Sequence, residues 1–475
     1  MTRALAPEPV VDLQAATAGG WGTGLDAATK LGPAGVIDEV EASGLRGRGG
    51  AGFPTGRKWR TVATNASLAL PSLVVVNGAE GEPGSFKDRA ILRADPYRVL
   101  EGALIAAGAV GADGVVVALK GSFTEEIARV RAAVDELGAA GAADGIGITV
   151  FEGPGEYLYG EETALLEAID GRDPFPRVAP PFRHGVEELG AGDGSAADVE
   201  MAAPGAVTDA PPTLVNNVET LANVPAIVAE GAEAFRSVGT AATPGTVVCT
   251  VTGRTRRHGV GEFAAGTPLR DVIDELGGGP EPGRELVAAL SGVAHPLLPA
   301  ERFDTPLDFD ALDAAGAGLG AAGFIVFDDT TDLAAVAQGV ARFLAVESCG
   351  QCTPCKQDGR AIAELLDRVR RSDAADLELV DIADRVRTVT DGARCFLAHQ
   401  QQRVIGSVLE LFPDALHAHV EGRVDEVEPE LVAPIVAFDG DRAVLDEGQR
   451  AKQPDWTYAD VDSGQSPADR LADAR

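Results

Sequence analysis

Residues 75–89 read VVNGAEGEPGSFKDR, and the choice of fold turns on them. An apolar run, residues 73–76, closes on Asn77 and on a loop carrying Glu80, Glu82 and Pro83-Gly84, and a helical pattern follows at 90–107. Polar groups are thereby presented at a strand end. Further out, apolar runs at 114–119 and 148–151 enclose a helical run at 125–137. Strand and helix alternating at this spacing predict a parallel α/β sheet over residues 36–234, with ligands expected in the loops at the strand ends.

Three other polar loops fall in the same region. Residues 44–59, GLRGRGGAGFPTGRKW, combine glycines, which let backbone N–H groups approach a phosphate, with Arg46, Arg48, Arg57, Lys58 and, next along, Arg60. In a chain with 73 Asp and Glu against 40 Lys and Arg, this local reversal of sign suits an anionic ligand. The loop is neither a Walker phosphate loop nor a dinucleotide fingerprint after a strand, so spacing alone leaves the ligand open. Residues 153–171, GPGEYLYGEETALLEAIDG, put Glu161 and Glu162 at a helix start, and PPTLVNNVETLANV (211–224) puts Asn216 and Asn217 before another. Each could be only a helix cap. Four such loops in one sheet domain favour a shared active site.

Cys349, Cys352 and Cys355 form a C-x2-C-x2-C run, ESCGQCTPC, and Cys395 follows 40 residues later. Three thiolates so spaced can wrap three corners of a [4Fe–4S] cubane and leave the fourth to a distant cysteine. Zinc is the alternative, although its structural sites usually pair two short knuckles. Cys249, in TVVCTVTG, is expected as a buried small hydrophobe.

Residues 1–35 are expected as an arm with one short helix, and 187–210, with six acids and no base, as a surface insertion. Residues 235–330 suit a small β-grasp module of SLBB-like type. Helical periodicity at 332–346, 359–370, 376–389 and 400–412 predicts a four-helix bundle over 331–412. The acidic extension 413–475 is expected to be loosely packed, anchored by Trp456 and Tyr458. A net charge of −33 argues against nucleic-acid binding, and no apolar run is long enough to span a membrane. The reading is a cytoplasmic protein, attached if at all to the membrane's cytoplasmic face through partner subunits.

Taken together, GLRGRGGAGFPTG, the E-x-E-P-G-[ST]-F-K-D-R loop, Y-x-x-G-E-E-T-A-L, V-N-N-V-E-T-L-A-N and E-S-C-G-x-C-T-P-C resemble the NADH-binding flavoprotein subunit of respiratory complex I and its relatives in NAD-linked formate dehydrogenases and hydrogenases. The resemblance implies a Rossmann-like FMN domain, a β-grasp module and a helical iron–sulfur bundle. It also implies hydride transfer from NADH to FMN and single electrons onward through a [4Fe–4S] cluster held by Cys349, Cys352, Cys355 and Cys395. It places Gly47, Gly49, Gly50 and Lys58 on FMN, with Asn77, Glu80, Gly160, Glu161, Asn216 and Asn217 holding the cofactor. Phe53 and Phe182 would stack on the dinucleotide, and Glu82 and Glu162 would act on NADH. A separate thioredoxin-like [2Fe–2S] subunit and a larger electron-accepting complex are the implied partners. Two departures stand out: Ala79 where the family carries aspartate, and Ala179 where it carries lysine. They favour, as the alternative, an electron carrier working with ferredoxin or another protein, with NAD binding weakened.

Overall fold

The computed structural model describes residues 3–66, 72–143, 145–182, 185 and 211–473. The strand expected at 73–76 runs Ser72–Gly78 (β1) and sits inside a four-stranded sheet with Ala112–Lys120 (β2), Gly147–Gly153 (β3) and Thr213–Asn217 (β4). The order is β3-β2-β1-β4, and every pairing is parallel. Val74, Val75 and Val76 are fully buried, which is why this strand reads as an unbroken apolar run. The chain moves from β1 through β2 to β3 on one side and returns to the other side at β4. That reversal makes a switch point between β1 and β4, beyond whose carboxyl ends ligands bind in such sheets. Asn77 and Asn217 are paired in register there.

The helical pattern at 90–107 is two helices, Lys87–Ala94 and Pro96–Val110. Asp95 caps the second by accepting from the Arg98 N–H at 3.1 Å, and Pro96, which has no N–H to lose, takes its first position. The N-terminal arm carries two helices, Leu13–Ala18 and Thr23–Ala42, and the second runs past residue 35 with a kink at Gly32 (φ 70°) before Pro33. It is docked by Glu101, whose carboxylate accepts from the N–H groups of Gly22 at 3.0 Å and Gly24 at 2.9 Å.

The second sheet joins Thr246–Gly253 (β5), Gly259–Ala264 (β6), Leu286–Ser291 (β7), Leu298–Pro299 (β8) and Gly323–Asp328 (β9) in the order β6-β5-β9-β7-β8. Its first and last strands are adjacent and parallel, and the other pairs are antiparallel. A helical turn, Leu269–Val272, lies between the second and third strands. This is the β-grasp arrangement. Cys249 is fully buried in it, between Val247 and Val251.

Helices Leu333–Glu347, Thr353–Arg370, Asp376–Thr388 and Leu397–Leu411 form the expected bundle, and a fifth, Pro413–Val420, packs against it. The extension beyond is not loose. A hairpin, Ile435–Asp439 (β10) with Arg442–Leu445 (β11), is held by Arg89, which donates to the carbonyls of Ile435 at 3.2 Å and Val436 at 2.9 Å. Trp456 is buried and donates to Val346 O at 3.0 Å, whereas Tyr458 is exposed. Most of the charge that suggested a loose tail lies outward, while Val432, Ile435, Trp456 and also Lys452 and Asp455 turn in. The acidic insertion at 187–210 lies outside the described residues.

Candidate functional site

The crevice beyond β1 and β4 is built from backbone and asparagines. Asn77 donates to Gly160 O at 2.9 Å and accepts from the Ala79 N–H at 3.2 Å, so its side chain fixes both loops at the strand end. Asn217 caps the helix Val218–Glu230 by accepting from Glu219 N, and donates to Asp88 at 2.6 Å. Strand alternation turns Asn216 to the other face, where it accepts from the Trp59 indole at 2.7 Å. The glycine loop lies on Asn217: a Cβ at Gly49 would come 3.1 Å from that side chain's Cβ. Among the described residues the N–H groups of Gly49, Gly50, Ala51 and Gly52 make no hydrogen bond, and Gly50 (φ 127°) and Gly52 (φ 63°) turn the loop as only glycine does readily. Free N–H groups at a switch point suit the phosphate of the flavin that the resemblance implies.

Four of the five bases expected to meet that phosphate have other partners. Arg46 pairs with Asp310 at 2.8 Å, and Arg60 pairs with Asp38 and Glu41. Arg48 is 2% exposed and donates to the carbonyls of Arg46, Pro244 and Thr246, tying the glycine loop to the β-grasp sheet. Lys58 donates to Val215 O at 2.8 Å and pairs with Glu162 across the crevice. Only Arg57 has no acidic partner among the described residues; it lies 5.8 Å over the half-exposed Phe53 ring. Phe182 is partly buried against the sheet's core.

Glu80 and Glu161 prove to be helix caps. Glu80 accepts from Ser85 Oγ at 2.6 Å and from the N–H groups of Asp88 and Arg89 at the start of one helix, and burial, then Asp88, pushes its pKa up to about 7. Glu161 accepts from the N–H groups of Thr163 and Ala164 at the start of another. Glu82 is placed differently. It accepts from Val293 N at 2.6 Å and from the Tyr157 hydroxyl, which itself accepts from Gln400 at 2.7 Å, and burial raises the Glu82 pKa. Tyr157, missed from sequence, thus joins the sheet domain, the β-grasp turn and the helix after Cys395. Also missed was a buried cluster behind Asn217, in which Lys87 pairs with Asp88 at 2.7 Å and Glu219 at 3.0 Å. The F-K-D-R run at 86–89 carried its signal.

Cys349, Cys352, Cys355 and Cys395 line one pocket, together with Leu158, Pro176, Ser348, Gln351, Arg394 and Leu397. Gln351 donates toward Cys349 Sγ at 3.6 Å, and Ser348 Oγ lies 3.4 Å from Cys355 Sγ. Burial raises the thiol pKa values of Cys349 and Cys395 and pushes Cys355 up to about 11. The four cysteines share one pocket, and among the described residues no three His, Cys, Asp or Glu are grouped to hold a single ion. Such an all-thiol set fits a cubane cluster better than zinc. Leu158 lies in the turn Tyr157–Gly160, so one four-residue turn touches both the crevice, through Gly160, and the cysteine cavity.

Residues 40–226 match the family described as the Nuo51 FMN-binding domain, and residues 335–419 match the NADH-ubiquinone oxidoreductase-F iron-sulfur binding region. The chain is 35% identical over 397 residues to the second of the NADH-quinone oxidoreductase F subunits of Rhizobium meliloti (strain 1021), covering 82% of this chain and 89% of that protein. It is 34% identical to the NADH-quinone oxidoreductase F subunit of Rickettsia felis (strain ATCC VR-1525 / URRWXCal2), with the same coverage. A solved structure of a NAD+-reducing [NiFe]-hydrogenase in the H2-reduced state superposes with a TM-score of 0.72 at 32% identity, covering 84% of this chain. This chain spans 64% of the length of that hydrogenase chain.

Proposed function

This chain belongs to the family of NADH-quinone oxidoreductase F subunits, and on that premise we propose that it is the NADH-oxidising flavoprotein subunit of an electron-transfer assembly, an NADH:acceptor oxidoreductase. Its cofactors are FMN and one [4Fe–4S] cluster, and bound FMN supplies the exchange between a two-electron hydride and single electrons. The observation that carries the reading is the turn Tyr157–Gly160, which reaches the switch-point crevice at one end and the four-cysteine cavity at the other.

The chain's own residues have distinct tasks in this reading. The free N–H groups of the 49–52 loop would take the FMN phosphate, and Asn77 and Asn217 would help hold its ring system. Lys58, half-exposed and paired with Glu162, is placed to exchange that partner for cofactor or dinucleotide. Phe53, exposed, offers a stacking face for a base or nicotinamide. Glu82 holds its carboxylate between Val293 N–H and the Tyr157 hydroxyl, where its remaining acceptor capacity can meet a ribose hydroxyl or an amide. Cys349, Cys352, Cys355 and Cys395 hold the cluster.

A separately encoded [2Fe–2S] subunit and a larger complex are proposed as the acceptors, and location on a membrane face would come through them. Among the described residues no helix is long and apolar enough to cross a membrane. Ala79 is 3% exposed and packs with Tyr159, Leu165 and Leu166, so this crevice lacks the family's aspartate. That favours, as a second reading, weakened NAD binding with ferredoxin or another protein as redox partner. Anaerobic mixing of NADH with the FMN-loaded protein decides between them: rapid flavin bleaching supports the first reading. A flavin that stays oxidised with NADH but bleaches with reduced ferredoxin establishes the second.

A further inference from the structure

Of the 40 basic residues only six are lysines, and four of those six, Lys87, Lys120, Lys356 and Lys452, are buried. Lys87 lies behind the flavin crevice. Of the other three, Lys452 pairs with one carboxylate, Glu347, two residues ahead of Cys349, and Lys120 and Lys356 are near enough to feel its charge. Lys452 Nζ meets both of its oxygens, at 2.8 and 2.9 Å. Lys356, next to Cys355, donates to the carbonyls of Ala345 at 3.0 Å, Ser348 at 2.8 Å and Pro454 at 2.5 Å. Lys120 donates to Gly155 O at 3.0 Å and feels the charges of Glu347 and Lys452. Glu347 acts on all three buried ammonium groups, the less buried Glu156 acts on Lys120 and Lys452, and Asp446 acts on Lys120, so charge is concentrated where low-dielectric surroundings make any imbalance costly. An anionic thiolate-held cluster in the adjoining cavity would add negative charge beside them.

Lys452 comes from the tail, outside the 335–419 stretch that matches the iron–sulfur family. Its partner Glu347 also accepts from Gln449 Nε2 at 3.1 Å and from the backbone N–H of Tyr157 at 3.1 Å. One carboxylate therefore ties the tail, the start of the cysteine loop and the turn shared with the flavin crevice. Trp456 and Ala468 reinforce the contact by donating to Val346 O at 3.0 Å and Cys349 O at 2.9 Å.

We propose that Lys452 is a positioning residue for the cluster: through Glu347 it fixes the cysteine loop against the Tyr157 turn, and its charge helps set the potential at which the cluster accepts one electron. This rests on the proposed function, in that the four cysteines must hold a [4Fe–4S] cluster. Cluster potentials respond to nearby charge and hydrogen bonding, so removing a buried cation should make one-electron reduction harder.

The test is an EPR-monitored redox titration of the purified holoprotein, with iron and sulfide content measured alongside. In Lys452→Met the equilibrium constant for cluster reduction is expected to fall at least tenfold, a shift of about 59 mV for one electron, and Lys452→Arg should recover most of it. Should Lys452→Met not fold, Glu347→Gln leaves the lysine's charge uncancelled and should move the potential upward. An unmoved potential in the variant that folds overturns the proposal while leaving the proposed function intact. A wild-type protein without a four-iron cluster overturns both.

Discussion

At the scale of single residues, the cysteines and the acids of this site differ in how much of their role a sequence can carry. A cubane needs thiolates at fixed separations along the chain, so C-x2-C-x2-C with Cys395 is readable before any fold is known. Cys395→Ser should abolish the four-iron EPR signal and lower the iron-to-protein ratio; an unchanged ratio would remove Cys395 from the ligand set. Acids at helix starts carry less information, because a cap and a ligand use the same side chains. Glu80 and Glu161, expected at the cofactor, bind backbone N–H groups. Glu80 has a measurable consequence. Its pKa in the folded protein is raised from 4.5 to about 7, so its contribution to stability is present below 4.5 and lost as the pH rises through about 7. Denaturant midpoints across that range should decline in the wild type and decline less in Glu80→Gln. Ala179 tests the dinucleotide site: Ala179→Lys should tighten NADH binding by one to two decades, since a charge-assisted bond is worth about 1.5–3 kcal/mol. Titration with unchanged affinity would place the dinucleotide elsewhere.

Elements were legible where periodicity is local and long. The four bundle helices and three of the four parallel strands follow from spacing alone. The strand Thr213–Asn217 was not foreseen, because five residues ending in two asparagines leave little apolar signal, yet this strand creates the switch point. The basic flank of the glycine loop misled for the opposite reason. Its charges are obvious in sequence, but their partners are distant in the chain: Arg46 meets Asp310, and Arg48 reaches the carbonyls of Pro244 and Thr246. Arg48 is thereby a strut between two sheets. Its guanidinium also lies 3.9 Å from the buried Glu219, and Arg48→Met should destabilise the protein by about 3–5 kcal/mol, the range for breaking one side of a buried ion pair, read as a lower midpoint in chemical denaturation. A loss under about 1 kcal/mol, typical of an exposed ion pair, would show that the strut carries little.

For the whole molecule, a net charge of −33 hides that four of the six lysines are buried. The four buried lysines stand beside the crevice or the cysteine cavity, and the tail supplies one of them. The sequence could not show this, since a tail with 15 acids and six bases reads as solvated until Lys452 and Trp456 find Glu347 and Val346. The crevice, the turn Tyr157–Gly160 and the cysteine cavity form one continuous path from the sheet domain into the helical bundle. That path is the central claim. Its most direct test is rapid-freeze EPR after anaerobic mixing of the holoprotein with NADH, with flavin absorbance followed in parallel. The account expects flavin bleaching followed by the signal of a reduced four-iron cluster, with both lost when Glu82 is replaced by Ala and only the second lost in Cys395→Ser. A flavin that bleaches while the intact cluster stays oxidised, or one that NADH does not bleach at all, would contradict it.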